Sequence, residues 1–315
     1  MQVSKIKNLI GQLLMLLATV VWGTSFFILK ETISAVPTFY VLFLRFFPSG
    51  IILLLIFSKK TFKMGKGTFI RGAILGAILA GAYITQTHGL ALTTPSRNAF
   101  VTSCYVVMVP FLVWIFYKKP PKNYNIISAV TCLIGIGFVS FSSGFGEGKT
   151  TALLGDGLTF IGAIFYAFQI FFINVFQNEK DDAICLLSIE LLTVGLICGL
   201  TTLIIEMPSL SSAGNLSYYA LNAEQIIKIG YLMLVCTLMA QGFQMFGQRY
   251  TSANQASIIL SLESVFGTLF SVIFASEKLT VLMVVGFIIV FASVLYNELE
   301  IDVTKLLNGK KNLNK

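Results

Sequence analysis

Three glutamines recur at helical spacing in an otherwise apolar stretch. Gln241, Gln244 and Gln248 stand at i, i+3 and i+7, so their amides share one helix face. Tyr83 and Gln86 form a corresponding pair in an earlier apolar run. Lipid offers no hydrogen bonds, so such faces must meet protein or a wet cavity. Amide packing between helices is the plain alternative to cavity lining. Trp22, Tyr105 and Tyr166 add rings with polar edges, which suit an amphipathic ligand. Interfacial anchoring is the common role of Trp and Tyr, but Trp22 and Tyr166 sit deep within their apolar runs. Trp22, Tyr83, Gln86, Tyr105, Tyr166, Gln241 and Gln244 are therefore the candidate substrate-binding residues.

Ionisable groups in apolar runs are few. Each is a functional candidate, because burying it in a membrane costs free energy unless it faces protein or water. Glu263, in the run SLES at 261–264, is the candidate proton carrier; its alternative is a carboxyl that only hydrogen-bonds neighbouring helices. Arg45 can receive a substrate carboxylate, but its position a third of the way along its run favours snorkelling to the membrane surface. Glu190 is a weaker candidate. Asp156 is read as a group that stabilises a helix N-terminus through the dipole. His88, the single histidine, is read as a structural group, and one histidine excludes a multi-histidine metal site. The five cysteines show no paired spacing and are read as buried thiols.

These residues need apolar helices to position them. Of the 315 residues, 56% are hydrophobic and 11% charged, against roughly 25% charged in soluble domains. Mean hydropathy is +0.84. A soluble fold of this size cannot hide so much apolar surface. The net charge of +8 does not point to nucleic acid, because the lysines cluster between apolar runs and not on one basic face. The first run, 9–29, is too long for a signal-peptide core and is read as a span.

A span needs about 20 mostly apolar residues. Ten segments qualify: 8–29, 36–57, 68–91, 97–117, 124–143, 153–176, 183–205, 226–248, 253–275 and 279–297. With both termini cytoplasmic, only Lys30, Arg97, Lys149, Lys228 and Lys278 fall outside, against sixteen Lys and Arg inside, as the positive-inside rule requires. Residues 84–105 also align with 241–262 at an offset of 157, matching Thr94 to Thr251, Asn98 to Gln255 and Ala99 to Ala256. Residues 18–25 align with 162–169 at an offset of 144, matching Trp22 to Tyr166. Each half then holds five spans, and an odd number means that the halves enter the membrane from opposite sides. The expected fold is an all-α integral membrane protein with ten transmembrane helices in two inverted five-helix repeats: 1–145, 150–300, and a basic cytoplasmic tail at 301–315. Small residues, Gly72, Gly76 and Gly81 in the third span and Ser264, Gly267 and Ser271 in the ninth, are expected to let helices pack closely.

The chain resembles the drug/metabolite transporter superfamily, in its ten-helix EamA branch. The resemblance rests on WGTSF at 22–26, GLALTTPSRNAFVTSCYVVMVPF at 89–111, Gly155 with Asp156, ASIILSLESVFG at 256–267 and ASEKL at 275–279, and it covers nearly the whole chain. Two positions depart from the family pattern. KKPP at 118–121 stands where a glutamate matching Glu277 is usual, and Glu263 is followed by Ser264 and not by proline. The resemblance implies an exporter or exchanger of small metabolites, such as amino acids or amphipathic compounds, with a central cavity between the halves. Alternating access across the cell membrane is the expected mechanism. The expected partners are a small-molecule substrate and membrane lipid, with no nucleic acid and no assembly beyond a monomer required. No cofactor is expected, and no P-loop points to ATP drive. A membrane-embedded enzyme or a non-transporting receptor is the alternative; HExxH and GxSxG are absent, and the short loops offer little surface to a partner.

Overall fold

The computed structural model describes residues 2–118, 120–141, 149–178, 181–212, 219–274 and 279–299. The expected tail at 301–315, the junction between the halves at 142–148 and the Glu277 motif lie outside them. The described residues form ten apolar helices: α1 (Gln2–Ile33), α2 (Thr38–Ile56), α3 (Lys66–Leu92), α4 (Pro95–Tyr117), α5 (Asn123–Phe141), α6 (Lys149–Asn178), α7 (Ala183–Ser209), α8 (Ala223–Gln248), α9 (Ala253–Phe274) and α10 (Val281–Glu298). Eight are long and apolar enough to cross a membrane, and the shorter apolar helices α5 and α10 complete the set. The surface is inverted relative to a water-soluble protein. Ile115, Leu203, Ile204 and Leu295 are exposed, whereas Asn98, Gln169 and Glu190 are fully buried. That distribution is stable only with lipid outside.

The inverted repeat is visible in which helices touch. Exchanging each helix for the one five later leaves the packing scheme unchanged: α2 lies on α7, α5 on α10 and α4 on α9, while the α3–α6 pair is mirrored by α8–α1. Both mirrored pairs pack through glycines. A Cβ on Gly155 of α6 would come within 2.9 Å of Gly89 O in α3, and a Cβ on Gly11 of α1 within 2.7 Å of Gly247 O in α8. Gly155 and Gly11 are 144 apart, the offset of the second repeat alignment. Close backbone approach here requires the absence of a side chain.

Two spans expected as continuous helices are broken. The helix of α4 divides into Pro95–Ser103 and Tyr105–Tyr117, and that of α9 into Ala253–Leu260 and Glu263–Phe274. The break residues Cys104 and Ser261 are 157 apart, so both halves break at the same place. Hydroxyls at the breaks bond back to the helix, Ser261 Oγ to Ile258 O (2.7 Å) and Ser264 Oγ to Ser261 O (2.7 Å), which bends it. The two helices cross antiparallel at this point. The first piece of each packs on the second piece of the other, and Ser103 Oγ lies 3.4 Å from Ser261 O.

Irregularity also enters α7 and α8. Thr202–Glu206 and Leu232–Met239 are π-helical, a wider winding that recurs at functional sites. The end of α7 has a structural task. The carboxylate of Glu206 accepts from Phe39 N (3.1 Å) and Tyr40 N (3.0 Å), capping α2, whose preceding residue, Pro37, offers no side-chain cap. The stretch after the expected seventh span, 183–205, thus starts as helix.

Candidate functional site: a central cavity

The crossing of α4 and α9 places a cavity between the halves. It is lined from α1 by Trp22, Ser25, Phe26 and Leu29, from α2 by Arg45, and from α3 by Tyr83, Gln86 and Leu90. Asn98 and Tyr105 of α4, Tyr166 and Ile170 of α6, Gln244 of α8, and Leu260 and Glu263 of α9 complete the wall. Its volume is about 30 Å³, room for about two water molecules. The lining side chains leave little free space between them.

The wall is built from paired polar groups on an aromatic frame. The Tyr166 hydroxyl donates to Gln86 Oε1 (2.8 Å), and Gln86 Nε2 donates to Thr102 Oγ1 (2.9 Å). Gln86 therefore ties α3 to α4 and α6 at once. The Tyr83 and Tyr166 rings meet edge-on at 5.6 Å, and Tyr105 approaches Tyr166 at 6.4 Å. Tyr105 donates to Glu263 Oε1 (3.2 Å), joining the second pieces of the two broken helices. Trp22 Nε1 donates to Cys236 O (2.9 Å) in the π-helical segment of α8.

The structure brings six of the seven candidate substrate-binding residues, and Glu263, to this cavity. Gln241 stands behind the wall and donates to the Tyr83 hydroxyl (3.2 Å). Gln248, on the same helix face, is spent on the carbonyl of Ile170 (3.0 Å). The glutamine face is thus shared: Gln244 reaches the cavity, and its neighbours hold α8 to α3 and α6. Gln244 itself donates to Gln169 Oε1 (3.0 Å), and Gln169 donates to the buried Glu190 Oε1 (3.0 Å). Asn98 is fully buried and donates to Gln86 O (3.1 Å) and Thr159 Oγ1 (2.7 Å). It was visible in the sequence only as the partner of Gln255 in the repeat. Leu29, Leu90, Ile170 and Leu260 carry no sequence signal that separates them from other core residues.

Two readings of charged groups change. Arg45 does not snorkel: it is 1% exposed, and the residue forms part of the cavity wall. Asp156 is not at a helix N-terminus, because α6 begins at Lys149. It pairs instead with Arg97 and accepts from Thr93 Oγ1 (3.4 Å), tying α6 to the start of α4. Lys30 reaches the carbonyls of Leu90 (2.7 Å), Ala91 (2.9 Å) and Thr93 (3.0 Å), capping the C-terminus of α3. His88 bonds Ile84 O at 2.8 Å and packs on Phe39, a structural placement. All five cysteines are free thiols.

Polar ties join helices on both faces of the bundle. On the face where α2 ends and α3 begins, Asp181 accepts from Arg71 (2.9 Å) and Thr68 (2.6 Å), and Asp182 pairs with Lys60 (3.1 Å). Burial opposes ionisation of Asp182, but the Lys60 hydrogen bond, the N–H groups of Ile184 and Cys185 and the Lys60 charge outweigh it. The carboxyl is held below the usual carboxylate range. On the opposite face stand the Arg97–Asp156 pair and the Lys228–Glu31 pair (2.9 Å).

Ten helices in two inverted halves around a central, polar-edged cavity form the architecture of a membrane carrier. The sequence pattern of the EamA-like transporter family matches residues 9–141 and again residues 153–297, and the chain belongs to that family of transporters. It is 25% identical over 300 residues to a protein of Archaeoglobus fulgidus named "Uncharacterized transporter", an alignment covering 94% of this chain and 88% of that one. A crystal structure aligns with a TM-score of 0.74 over 92% of this chain and 96% of its own, at 13% identity. At that identity the likeness shows the fold alone.

Proposed function

We propose that the protein is a secondary transporter that exports or exchanges small metabolites, such as amino acids or amphipathic compounds, across the cell membrane. It works as a carrier and not as an enzyme, with both termini cytoplasmic, and a single chain is the working unit. The observation that carries this reading is the cavity at the crossing of the two broken helices, lined by both halves. Ion pairs tie the helices together on both faces of the bundle, and they differ between the faces. Releasing the Arg97–Asp156 side opens one path, and releasing the Arg71–Asp181 side opens the other. Trp22, Tyr83, Gln86, Tyr105, Tyr166 and Gln244 contact the substrate, and Gln241 sets the Tyr83 hydroxyl. Glu263 carries a proton in exchange for substrate, its Tyr105 contact remade at each turn of the cycle. Binding energy is thereby shared between two states, as alternating access requires.

Proteoliposomes carrying the full chain test this. Counterflow of radiolabelled amino acids should be seen with wild type, and an imposed pH difference should drive accumulation. Glu263→Gln keeps the shape of the protonated side chain. It should still exchange substrate for substrate but no longer accumulate it against a gradient. Accumulation by Glu263→Gln equal to wild type would remove the proton role. Absence of counterflow for every metabolite class tried would remove the carrier reading.

A further inference from the structure

Arg45 has an unusual environment for a buried cation. It is 1% exposed, and no carboxylate among the described residues pairs with it. Its Nε donates to Thr237 Oγ1 (3.1 Å), and its guanidinium lies over the rings of Tyr83 (5.3 Å) and Phe46 (5.5 Å). The terminal nitrogens Nη1 and Nη2 are buried and have no hydrogen-bond partner. The side chain forms part of the cavity wall.

A guanidinium taken out of water without acceptors is costly, more so at membrane depth. The fold nevertheless holds it firmly. The π-helical turn of α8 presents Thr237 to Nε, and Thr237 Oγ1 is itself 2.8 Å from Leu232 O. Ser49 Oγ ties the backbone of α2 to the same segment, 2.7 Å from Arg45 O and 3.2 Å from Met233 O. Two aromatic rings fix the plane. What remains is the edge with two parallel N–H donors, the geometry that matches a carboxylate in bidentate fashion.

We infer that Arg45 is the anion-receiving group of the cavity and that the transported compound carries a carboxylate held by Nη1 and Nη2. This rests on the transport reading and narrows its substrate class. A single guanidinium balances one negative charge, which fits a carboxylate better than a phosphate dianion. The rest of the wall accounts for the other end of such a molecule. Trp22, Phe26, Leu29 and Ile170 offer an apolar surface, while Glu263 lies in the same wall without pairing with Arg45. A small acid with an apolar body satisfies the two orphan nitrogens and leaves Glu263 to its proton.

The test is a binding titration of the full chain in lipid nanodiscs, read by Trp22 fluorescence in a Trp114→Phe background, since Trp114 is the second of two tryptophans. The probes are leucine and phenylalanine, their carboxamides, and the amines left by decarboxylation. Wild type should bind the acids at least tenfold more tightly than the amides and amines, a difference of about 1.4 kcal/mol. Arg45→Gln should abolish that preference, and Arg45→Lys should reduce it, since a lysine cannot make the bidentate contact. Thr237→Val frees Nε, leaves the charge in place and should weaken acid binding several-fold; it decides the matter if Arg45→Gln does not fold. Amides that bind as well as acids overturn the inference. So does a folded Arg45→Gln that keeps the preference, or a failure of both acids to titrate. Arg45-dependent acid binding without counterflow would sink transport and leave this site standing. Counterflow of a compound without a carboxylate, unchanged in Arg45→Lys, would do the reverse.

Discussion

Gln86 is a hub whose energy can be separated from that of its partners. Its side chain accepts from Tyr166 and donates to Thr102, linking three helices around the cavity. Gln86→Leu conserves approximate volume and removes both hydrogen bonds. Interhelical hydrogen bonds in membrane proteins average about 0.6 kcal/mol and reach about 1.7. The substitution should therefore cost about 1–3 kcal/mol. Tyr166→Phe removes only the shared bond and should cost about 0.6–1.7 kcal/mol. In the double variant that bond is lost once, so its cost should fall short of the sum by the same amount. Gln248→Leu is the control, because Gln248 bonds Ile170 O and shares no partner with Gln86. Its effect should add to that of Gln86→Leu within about 0.5 kcal/mol. Denaturant-induced unfolding of the purified full chain in lipid–detergent micelles measures all of these. Additivity of Gln86→Leu and Tyr166→Phe within about 0.3 kcal/mol would refute the coupled wall. Transport by Tyr166→Phe should also fall, since an unpaired Gln86 amide is then left at the cavity.

The glycine contacts give a sharper stability test. Gly155→Val places a Cβ 2.9 Å from Gly89 O and 3.0 Å from Leu92 Cβ, an overpacking worth about 1–3 kcal/mol, whereas a Cβ at Gly157 meets nothing within 4 Å. Melting should therefore drop for Gly155→Val and hold or rise for Gly157→Ala; equal effects would mean that the α3–α6 contact is looser than described. The depressed Asp182 carboxyl stabilises the fold at and above the ordinary Asp pKa of about 3.9, and this is lost as pH falls through its lower folded value. The melting temperature of wild type should decline more steeply below pH ~4 than that of Asp182→Asn, and parallel curves would deny Asp182 that role. Reporter fusions at Lys315 and within 209–217 should lie on opposite sides of the membrane; finding both on one side would break the ten-span topology.

The sequence by itself determined that the chain lives in lipid, because composition alone sets how much apolar surface must be covered. It also marked ten apolar segments, of which eight form helices long enough to cross the bilayer and two form shorter apolar helices. The repeat was legible at offsets of 144 and 157, and the structure returns both, in the glycine pair Gly11 and Gly155 and in the breaks at Cys104 and Ser261. Local spacing placed Gln241, Gln244 and Gln248 on one face. Only helix rotation against neighbours decided that Gln244 reaches the cavity while the other two hold helices together. The breaks in α4 and α9 were not legible, since serine hydroxyls bend a helix only where a crossing partner makes use of the bend. Arg45 shows the limit most plainly. A long cationic side chain in a span can turn toward the membrane surface or toward the protein interior, and the sequence is the same in either case. The rings of Tyr83 and Phe46 and the π-helical turn that presents Thr237 come from three different helices. Their convergence, a property of tertiary packing, holds the guanidinium inside the protein, with Arg45 in the cavity wall.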